Sequence, residues 1–264
     1  ERQAEADRLA QLEKKRVEKE MRKKMKRERK EERKEKKARE ARMKKTGQVR
    51  VPEDCSTLKE AVERVHGDDY LTTIVVGQGQ HQIDGYYLEI SSSMNIVGDL
   101  EVAKDEIVVM GGIVFNKGIQ GNCHLQHLTL RRAGINGVHG ESSFTMEDVL
   151  VEQCGRSGVV ASGAYTRVVG RCTNVEVRQC GGSGVLAVIG ASITLIDPKT
   201  TVHHNCTAGY RWDFGLEVHG STTATIQLVS PLTKEEASFN NGGGGNWGVD
   251  GGTDEDQIKN IIET

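Results

Sequence analysis

The chain has 264 residues, of which 36% are hydrophobic and only 4% aromatic, and it contains 31 glycines and six cysteines. So few aromatic residues argue against a thick conventional core. The formal net charge of −2 conceals a division, because residues 1–46 carry 21 Lys and Arg against 11 Asp and Glu, while the rest of the chain carries 15 against 27. No run of 18 apolar residues occurs, so we expect no transmembrane helix.

Residues 1–46 contain neither Gly nor Pro and are rich in Glu, Lys and Arg, which predicts a long charged helix. A thin apolar seam runs along its first half, formed by Leu9, Leu12, Val17, Met21 and Met25. A solvated helix, a disordered spacer and a weak coiled coil that mediates self-association all fit this pattern. The charge alone would allow an anionic membrane surface or nucleic acid. Because no aromatic residues lie among the basic ones, we do not expect nucleic acid as a partner.

A linker at 47–52 is expected to lead into a short amphipathic helix at 56–66. Ser56 or Thr57 can cap its N-terminus, and Gly67 is a stop signal. Its apolar face consists of Leu58, Ala61, Val62 and Val65. Three alternating strand patterns follow, LTTIVVGQGQHQI, YYLEISSSMNIVGD and DEIVVMGGIVF. We expect the helix to cap the end of the strand array, where open strand edges would otherwise pair with another chain.

The segment VEQCGRSGV at 151–159 recurs as VRQCGGSGV at 177–185, as VHHNCTAGY at 202–210 and as LRRAGINGV at 130–138. The eighth residue of each copy is a glycine, namely Gly137, Gly158, Gly184 and Gly209, in steps of 21, 26 and 25 residues. Alternating apolar residues precede each copy, and none has room for a packed helix. The repeats therefore predict rungs of a parallel β-helix, stacked about 4.8 Å apart.

Equivalent residues of successive rungs should then stack in files. One inward file is expected to contain Leu130, Val151, Val177 and Val202, and a second to contain Ala133, Cys154, Cys180 and Asn205. Two outward files are expected at Arg131, Glu152, Arg178 and His203, a solvated charge ladder, and at Arg132, Gln153, Gln179 and His204. The glycines should adopt positive φ, and Pro198 and Pro231 should mark strand ends.

The capping helix, TIVVGQGQH, LEISSSMNIVGD and the GV-spaced rungs together resemble the right-handed parallel β-helix repeat proteins of the pectin-lyase-like superfamily over residues 53–250. The short rungs are most similar to repeats of F-box-associated and SH2-adaptor-associated eukaryotic proteins and of bacterial periplasmic carbohydrate-binding proteins and sugar hydrolases. The resemblance implies an all-β fold, a single-stranded right-handed parallel β-helix, with residues 251–264 as a tail. The F-box and zinc-finger segments of the F-box relatives do not occur in this chain.

The six cysteines contain no CxxC pair, so we expect no zinc site, and nothing in the sequence calls for another metal or a cofactor. Cys154 and Cys180 fall at equivalent rung positions and could form a disulfide, although two buried thiols are the favoured interpretation. The sequon at Asn205 lies in an inward file, which argues against glycosylation. Cysteines that stay as free thiols indicate a reducing compartment, so we expect an intracellular location, cytoplasmic or nuclear.

Candidate site residues concentrate in HHNCTAGYRWDFGLEVHG, where a strand is expected at 210–219. The candidates for catalysis are Arg211, Asp213, Glu217 and His219, and those for ligand binding are His203, His204, Tyr210 and Trp212. The two aromatic residues offer stacking surfaces of the kind that sugars use. The Asp and His signatures of galacturonan hydrolases and the calcium site of pectate lyases, which the resemblance would imply for an enzyme, are missing.

Two functions remain open. The favoured one is a non-catalytic scaffold that binds a protein or a glycan on the β-helix face, with the charged helix for spacing or association. The alternative is a carbohydrate-active enzyme, a polysaccharide lyase, hydrolase or epimerase. An acidic body would repel an acidic polysaccharide, so a neutral glycan suits either function better.

Overall fold

The computed structural model describes residues 2–163, 167–219, 223–250 and 257–261. The chain divides into two compact units, residues 1–46 and residues 47–264. The first unit is helix α1 (Arg2–Thr46), in agreement with its high helix propensity. Lys44 and Lys45 lie in its last turn, where cations interact favourably with the negative end of the helix dipole.

The second unit begins with strand β1 (Gln48–Val51), which occupies most of the segment expected to be a linker. It pairs in parallel with β2 (Thr73–Val76). The four-residue pattern QVRV is too short to stand out from a connection in the sequence. Helix α2 (Leu58–His66) therefore follows the first strand of the β-helix instead of preceding it.

Helix α2 forms as its sequence predicts. The side chain of Thr57 accepts a hydrogen bond from the Glu60 amide, and the cap at the C-terminus is Gly67. All four residues of its apolar face are buried, and the helix packs on the first strands of the unit. Burial of this face provides most of the stabilisation, because an isolated helix of this length is unstable in water.

The remaining elements are short strands, one 3₁₀ turn and one helical turn. In chain order they are β3 (Gly79–Ile90), β4 (Asn95–Gly98), a 3₁₀ turn (Lys104–Glu106), β5 (Ile107–Phe115), β6 (Cys123–Arg131), β7 (Val138–Gly140), β8 (Phe144–Glu152), β9 (Val159–Ser162), β10 (Val168–Thr173), β11 (Glu176–Arg178), β12 (Val185–Val188), β13 (Ala191–Ile196), β14 (Thr201–His203), β15 (Phe214–His219), β16 (Thr225–Val229), α3 (Lys234–Ala237), β17 (Ser238–Phe239), β18 (Gly245–Asp250) and β19 (Ile258–Ile261).

The strands form three parallel sheets that wrap around one interior, which is the predicted parallel β-helix. The first sheet contains β1, β2, β4, the first halves of β6 and β8, β10, β13, β16 and β19. The second contains the first halves of β3 and β5, the second halves of β6 and β8, β11, β14 and β17. The third contains the second halves of β3 and β5, β7, β9, β12, β15 and β18.

The predicted inward files are confirmed. The register of the second sheet pairs Leu130 with Val151, Val151 with Val177, and Val177 with Val202, and all four side chains are buried. The members of the next file are also buried, namely Ala133, Cys154, Cys180 and Asn205. Asn205 hydrogen-bonds along the stack, donating to the Val177 carbonyl at 3.0 Å and accepting from the Cys180 amide at 3.1 Å. Its burial removes it as a glycosylation site.

The prediction that the repeated glycines adopt positive φ was wrong. Gly137, Gly158 and Gly184 do not adopt positive φ, and the left-handed positions are instead the outward polar residues Arg132, Gln153, Gln179 and His204, with φ from 54° to 58°. What the glycines supply is space. A Cβ on Gly158 would lie 2.2 Å from Val177 Cγ1, far inside van der Waals contact.

Other expectations have mixed outcomes. Pro198 and Pro231 occupy turns directly after β13 and β16, as predicted. The six cysteines are free and buried, so the alternative of a Cys154–Cys180 disulfide is not formed. In the expected tail, residues 251–256 and 262–264 lie outside the described residues, whereas β19 continues the first sheet. Among the described residues, no helix has the length and apolar character needed to span a membrane.

Candidate functional site

The fourth repeat contains an insertion that the spacing of the repeated glycines did not reveal. Leu216 pairs with Val185, which makes Gly215, and not Gly209, the equivalent of Gly184. Asn205 and Gly215 are ten positions apart, whereas the equivalent Cys180 and Gly184 are four apart. Residues 206–213 therefore form a loop six residues longer than the corresponding turn. We call it the insertion loop.

The insertion loop is fixed to the preceding rung by backbone hydrogen bonds. The amides of Cys206, Thr207 and Ala208 donate to carbonyls of residues 180–182 at 2.9–3.1 Å. Within the loop, the Asp213 amide donates to the Tyr210 carbonyl at 3.1 Å. This anchoring holds the loop in one conformation, which is what a binding surface requires.

The run of glycines at 242–245 packs against the other side of the insertion loop. The Gly244 amide donates to the Asp213 carbonyl at 2.8 Å, and a Cβ on Gly243 would lie 2.6 Å from the carbonyl oxygens of both Tyr210 and Asp213. Its glycines permit the close approach of two backbones, and Gly245 begins β18.

Tyr210 and Trp212 form an exposed aromatic platform on the insertion loop. Their ring centroids are 5.2 Å apart and their planes differ by 12°, so the rings are stacked. They are 53% and 51% exposed. The expected strand at 210–219 was wrong in its first part, because β15 begins at Phe214 and both aromatic residues lie in turns. The loop conformation, and not strand alternation, places the two rings together.

The candidate catalytic residues differ in how far they are buried. Glu217 on β15 is 5% exposed and accepts a short hydrogen bond from Ser183 Oγ, which itself accepts one from the Phe214 amide at 3.2 Å. Its other oxygen lies 3.8 Å from His219 Nδ1. Arg211 is exposed on the loop. Glu217 thus occupies an outward position that is covered, and it is not presented to a ligand on the surface.

Asp213 and Glu217 act electrostatically on a buried thiol. Burial, together with the charges of Asp213 and Glu217, raises the pKa of the Cys206 thiol to about 12. A thiol with that pKa is protonated at neutral pH and is a poor nucleophile. Burial also raises the pKa of the Asp213 carboxyl.

The two histidines have different surroundings. His203 stacks on Phe239 with centroids 5.1 Å apart, and its Nε2 lies 3.2 Å from Glu176 Oε1. Burial lowers its pKa despite the opposing effect of the Glu176 charge. His204, whose Nδ1 is 2.8 Å from His203 Nδ1, lines a shallow cleft of about 550 Å³ beside the insertion loop. The other residues of this cleft include Gln179, Thr207, Gly209 and Asn240.

The outward charge ladder has the predicted register but is less solvated than expected. Arg131, Glu152, Arg178 and His203 are aligned on successive rungs. Glu152 is only 3% exposed and accepts hydrogen bonds from Arg131 Nε at 2.5 Å and Arg178 Nε at 2.9 Å. Glu176 extends this network to His203, and alternation alone did not predict its part.

One cavity was not predicted from the sequence. It measures about 420 Å³ and lies between α2 and β3, where the pairing of β3 with β5 shifts register between Gln82 and Tyr87. Its walls include charged side chains of both signs and the Tyr87 ring. Register shifts leave no mark in a hydrophobic pattern, so this cavity could not have been predicted.

In the described part of the chain, no three His, Cys, Asp or Glu side chains are grouped so as to hold a metal ion. No family model, curated protein or solved structure matches this chain. Membership of the pectin-lyase-like superfamily therefore stays a prediction based on the sequence patterns.

Proposed function

We propose that the β-helix is a non-catalytic scaffold and that Tyr210 and Trp212 form its binding surface for a carbohydrate. The observation that carries the proposal is the stacked and half-exposed pair of rings on an anchored loop. Exposed aromatic rings leave apolar surface in water, and this cost is recovered when a ligand covers them. The C–H faces of a sugar ring fit such a surface.

The surroundings of the platform favour a neutral glycan. The chain beyond residue 46 has 27 acidic and 15 basic residues, so it repels acidic polymers. The neighbouring cleft adds polar groups for sugar hydroxyls, among them Gln179, His204 and Asn240. A few well-placed polar groups beside an apolar surface are typical of ligand sites. A protein that covers the same rings is the other ligand class that this surface would accept.

The test is a glycan array with the full chain, followed by calorimetric titration of the best glycan. We expect Trp212→Ala and Tyr210→Ala each to weaken binding at least about tenfold, which corresponds to ~1.4 kcal/mol. Tyr86→Ala is the matched control, because Tyr86 is an exposed tyrosine on β3, which four strands of the third sheet separate from β15. If all three substitutions weaken binding equally, or if none of them weakens it, the platform is not the binding surface. Absence of any bound glycan would redirect the search to a protein ligand.

A carbohydrate-active enzyme is the second candidate, and the raised pKa of Asp213 favours it. A carboxyl that remains protonated at a higher pH can act as a general acid. Glu217, its expected partner, is buried and bonded to Ser183, which is why we rank binding first. Under either function, α1 serves as a spacer or associates through its apolar seam, in which Val17, Met21 and Met25 are exposed.

A further inference from the structure

The positive charge of α1 is concentrated on one side of the helix. Successive residues of an α-helix are rotated by about 100°, so residues three and four apart share a side. Eight exposed cations follow such steps, namely Lys15, Lys19, Arg22, Lys26, Arg29, Lys30, Arg33 and Lys37. We call this row the cationic stripe.

The acidic residues avoid the cationic stripe. Between positions 13 and 37 the helix contains seven acids, Glu13, Glu18, Glu20, Glu28, Glu31, Glu32 and Glu35. By helical rotation all seven fall on the remaining circumference, together with the exposed seam of Val17, Met21 and Met25. The stripe is therefore purely cationic, whereas the remaining circumference between positions 13 and 37 carries seven acids and seven other cations.

Several members of the cationic stripe have only cations as neighbours. The residues three and four positions from Lys26 are Arg22, Lys23, Arg29 and Lys30. Lys19, Lys30 and Arg33 are likewise surrounded by four cations each. Like charges at these separations destabilise a helix, and a helix that served only as a spacer would intersperse the two signs. An external polyanion would relieve this repulsion.

The length of the stripe and the position of the seam favour a nucleic acid duplex over a membrane surface. From Lys15 to Lys37 the stripe extends about 33 Å, close to one turn of a nucleic acid duplex at about 34 Å. A membrane surface fits poorly, because a helix in the interface buries its apolar side, and here Val17, Met21 and Met25 lie on the side that carries the acids. These three residues are rotated by about 130° from the stripe, so burying them would place glutamates against anionic headgroups.

We infer that the cationic stripe binds the phosphate backbone of a nucleic acid duplex without reading its base sequence. The lack of aromatic residues had argued against nucleic acid, but aromatic stacking serves single-stranded bases, whereas duplex phosphates need only cations. The inference concerns α1 alone and does not depend on the carbohydrate proposal.

The test compares two variants of the full chain that lose the same charge. The stripe variant is Lys19→Gln, Lys26→Gln, Lys30→Gln and Arg33→Gln, and the control is Lys14→Gln, Lys24→Gln, Arg27→Gln and Lys36→Gln on the remaining circumference. Fluorescence anisotropy with a labelled duplex of about 20 base pairs, two helical turns, gives the affinity between about 50 and 200 mM salt.

We expect the slope of log affinity against log salt to decrease in magnitude by about 3–4 in the stripe variant, and by less than about 1 in the control. Gln is a good helix former, and far-UV circular dichroism should show the helix in both variants. Equal losses in both variants would overturn the inference, as would no binding to the duplex at about 50 mM salt. Tighter binding to single strands, to a sulfated polysaccharide or to vesicles of phosphatidylserine and phosphatidylcholine would overturn it too.

Discussion

Glycine at position 158 illustrates how the interior of this β-helix is closed. The residue has no unusual φ, yet a side chain there would collide with Val177 Cγ1 at 2.2 Å and with the Gly184 carbonyl at 2.8 Å. Gly137 and Gly184 meet the valines of their next rungs in the same way. The repeated glycine and the repeated valine are therefore two parts of one packing contact between neighbouring rungs.

We predict that Gly158→Ala destabilises the β-helix by about 1–3 kcal/mol, because a methyl group would overpack the contact with Val177. Urea unfolding measures the change. Gly134→Ala is the control, since a Cβ at Gly134 would meet only Tyr86 Cδ1, at the ordinary contact distance of 3.9 Å. If both substitutions change the unfolding free energy equally, the conformational entropy of the backbone, and not the lack of room for a side chain, explains why position 158 is glycine.

Glu152 shows a different residue-scale effect, in which burial and charge oppose each other. Burial alone would raise the pKa of its carboxyl, but the hydrogen bonds and charges of Arg178 and Arg131 lower it below the usual value of 4.5. A folded-state pKa below the unfolded one stabilises the protein above pH 4.5, and this stabilisation is lost as the pH falls through the folded-state pKa.

Glu152→Gln is accordingly expected to cost about 1–3 kcal/mol at neutral pH, where hydrogen bonds between charged groups are replaced by weaker ones. The difference in unfolding free energy between the wild type and the variant should shrink as the pH falls below 4.5. Urea unfolding across that range checks it. A difference that stays constant with pH would show that the carboxylate charge does not stabilise the fold.

The insertion loop is the element in which the sequence reasoning failed most clearly. VHHNCTAGY imitates the repeat at each end, with Val202 at the strand position and Gly209 at the position of the repeated glycine. Only the strand register shows that Gly215 is the true equivalent. Tyr210 and Trp212 are exposed, but their stacking depends on a loop conformation that periodicity cannot encode.

Gly243→Ala tests whether the glycine run supports this loop. The residue has φ +59° and its Cβ would lie 2.6 Å from the carbonyl oxygens of Tyr210 and Asp213. We predict that the substitution displaces the insertion loop and weakens glycan binding at least about tenfold, as loss of a platform ring would.

Gly209→Ala is the control for backbone strain. Gly209 also has positive φ, at +76°, but a Cβ there would meet nothing within 4 Å. Calorimetric titration of both variants separates the two effects. Equal weakening would mean that strain at positive φ, and not contact with the loop, determines the binding.

At the scale of the whole molecule, the fold class followed from the repeats because stacking of equivalent residues leaves a periodic pattern. The inward files and the amphipathic face of α2 were predictable for that reason. Strand β1 was missed because it contributes only four residues and lies outside the clear repeats. Burial of Glu152 and Glu217 could not be predicted, since outward positions on a strand are covered only when loops and neighbouring rungs close over them.

The division of charge also belongs to this scale. A basic helix and an acidic β-helix form separate compact units, so the near-neutral total describes neither of them. The two ligands that we propose differ accordingly, a polyanion for α1 and a neutral glycan for the platform.

The measurement that tests the central claim most directly is a cleavage assay on the glycans that the full chain binds. New reducing ends and unsaturated products are followed for the wild type and for the double variant Asp213→Asn and Glu217→Gln, which keeps the size of both side chains. Our account predicts binding without turnover for the wild type. Cleavage by the wild type that disappears in the double variant would contradict it and would make this protein an enzyme.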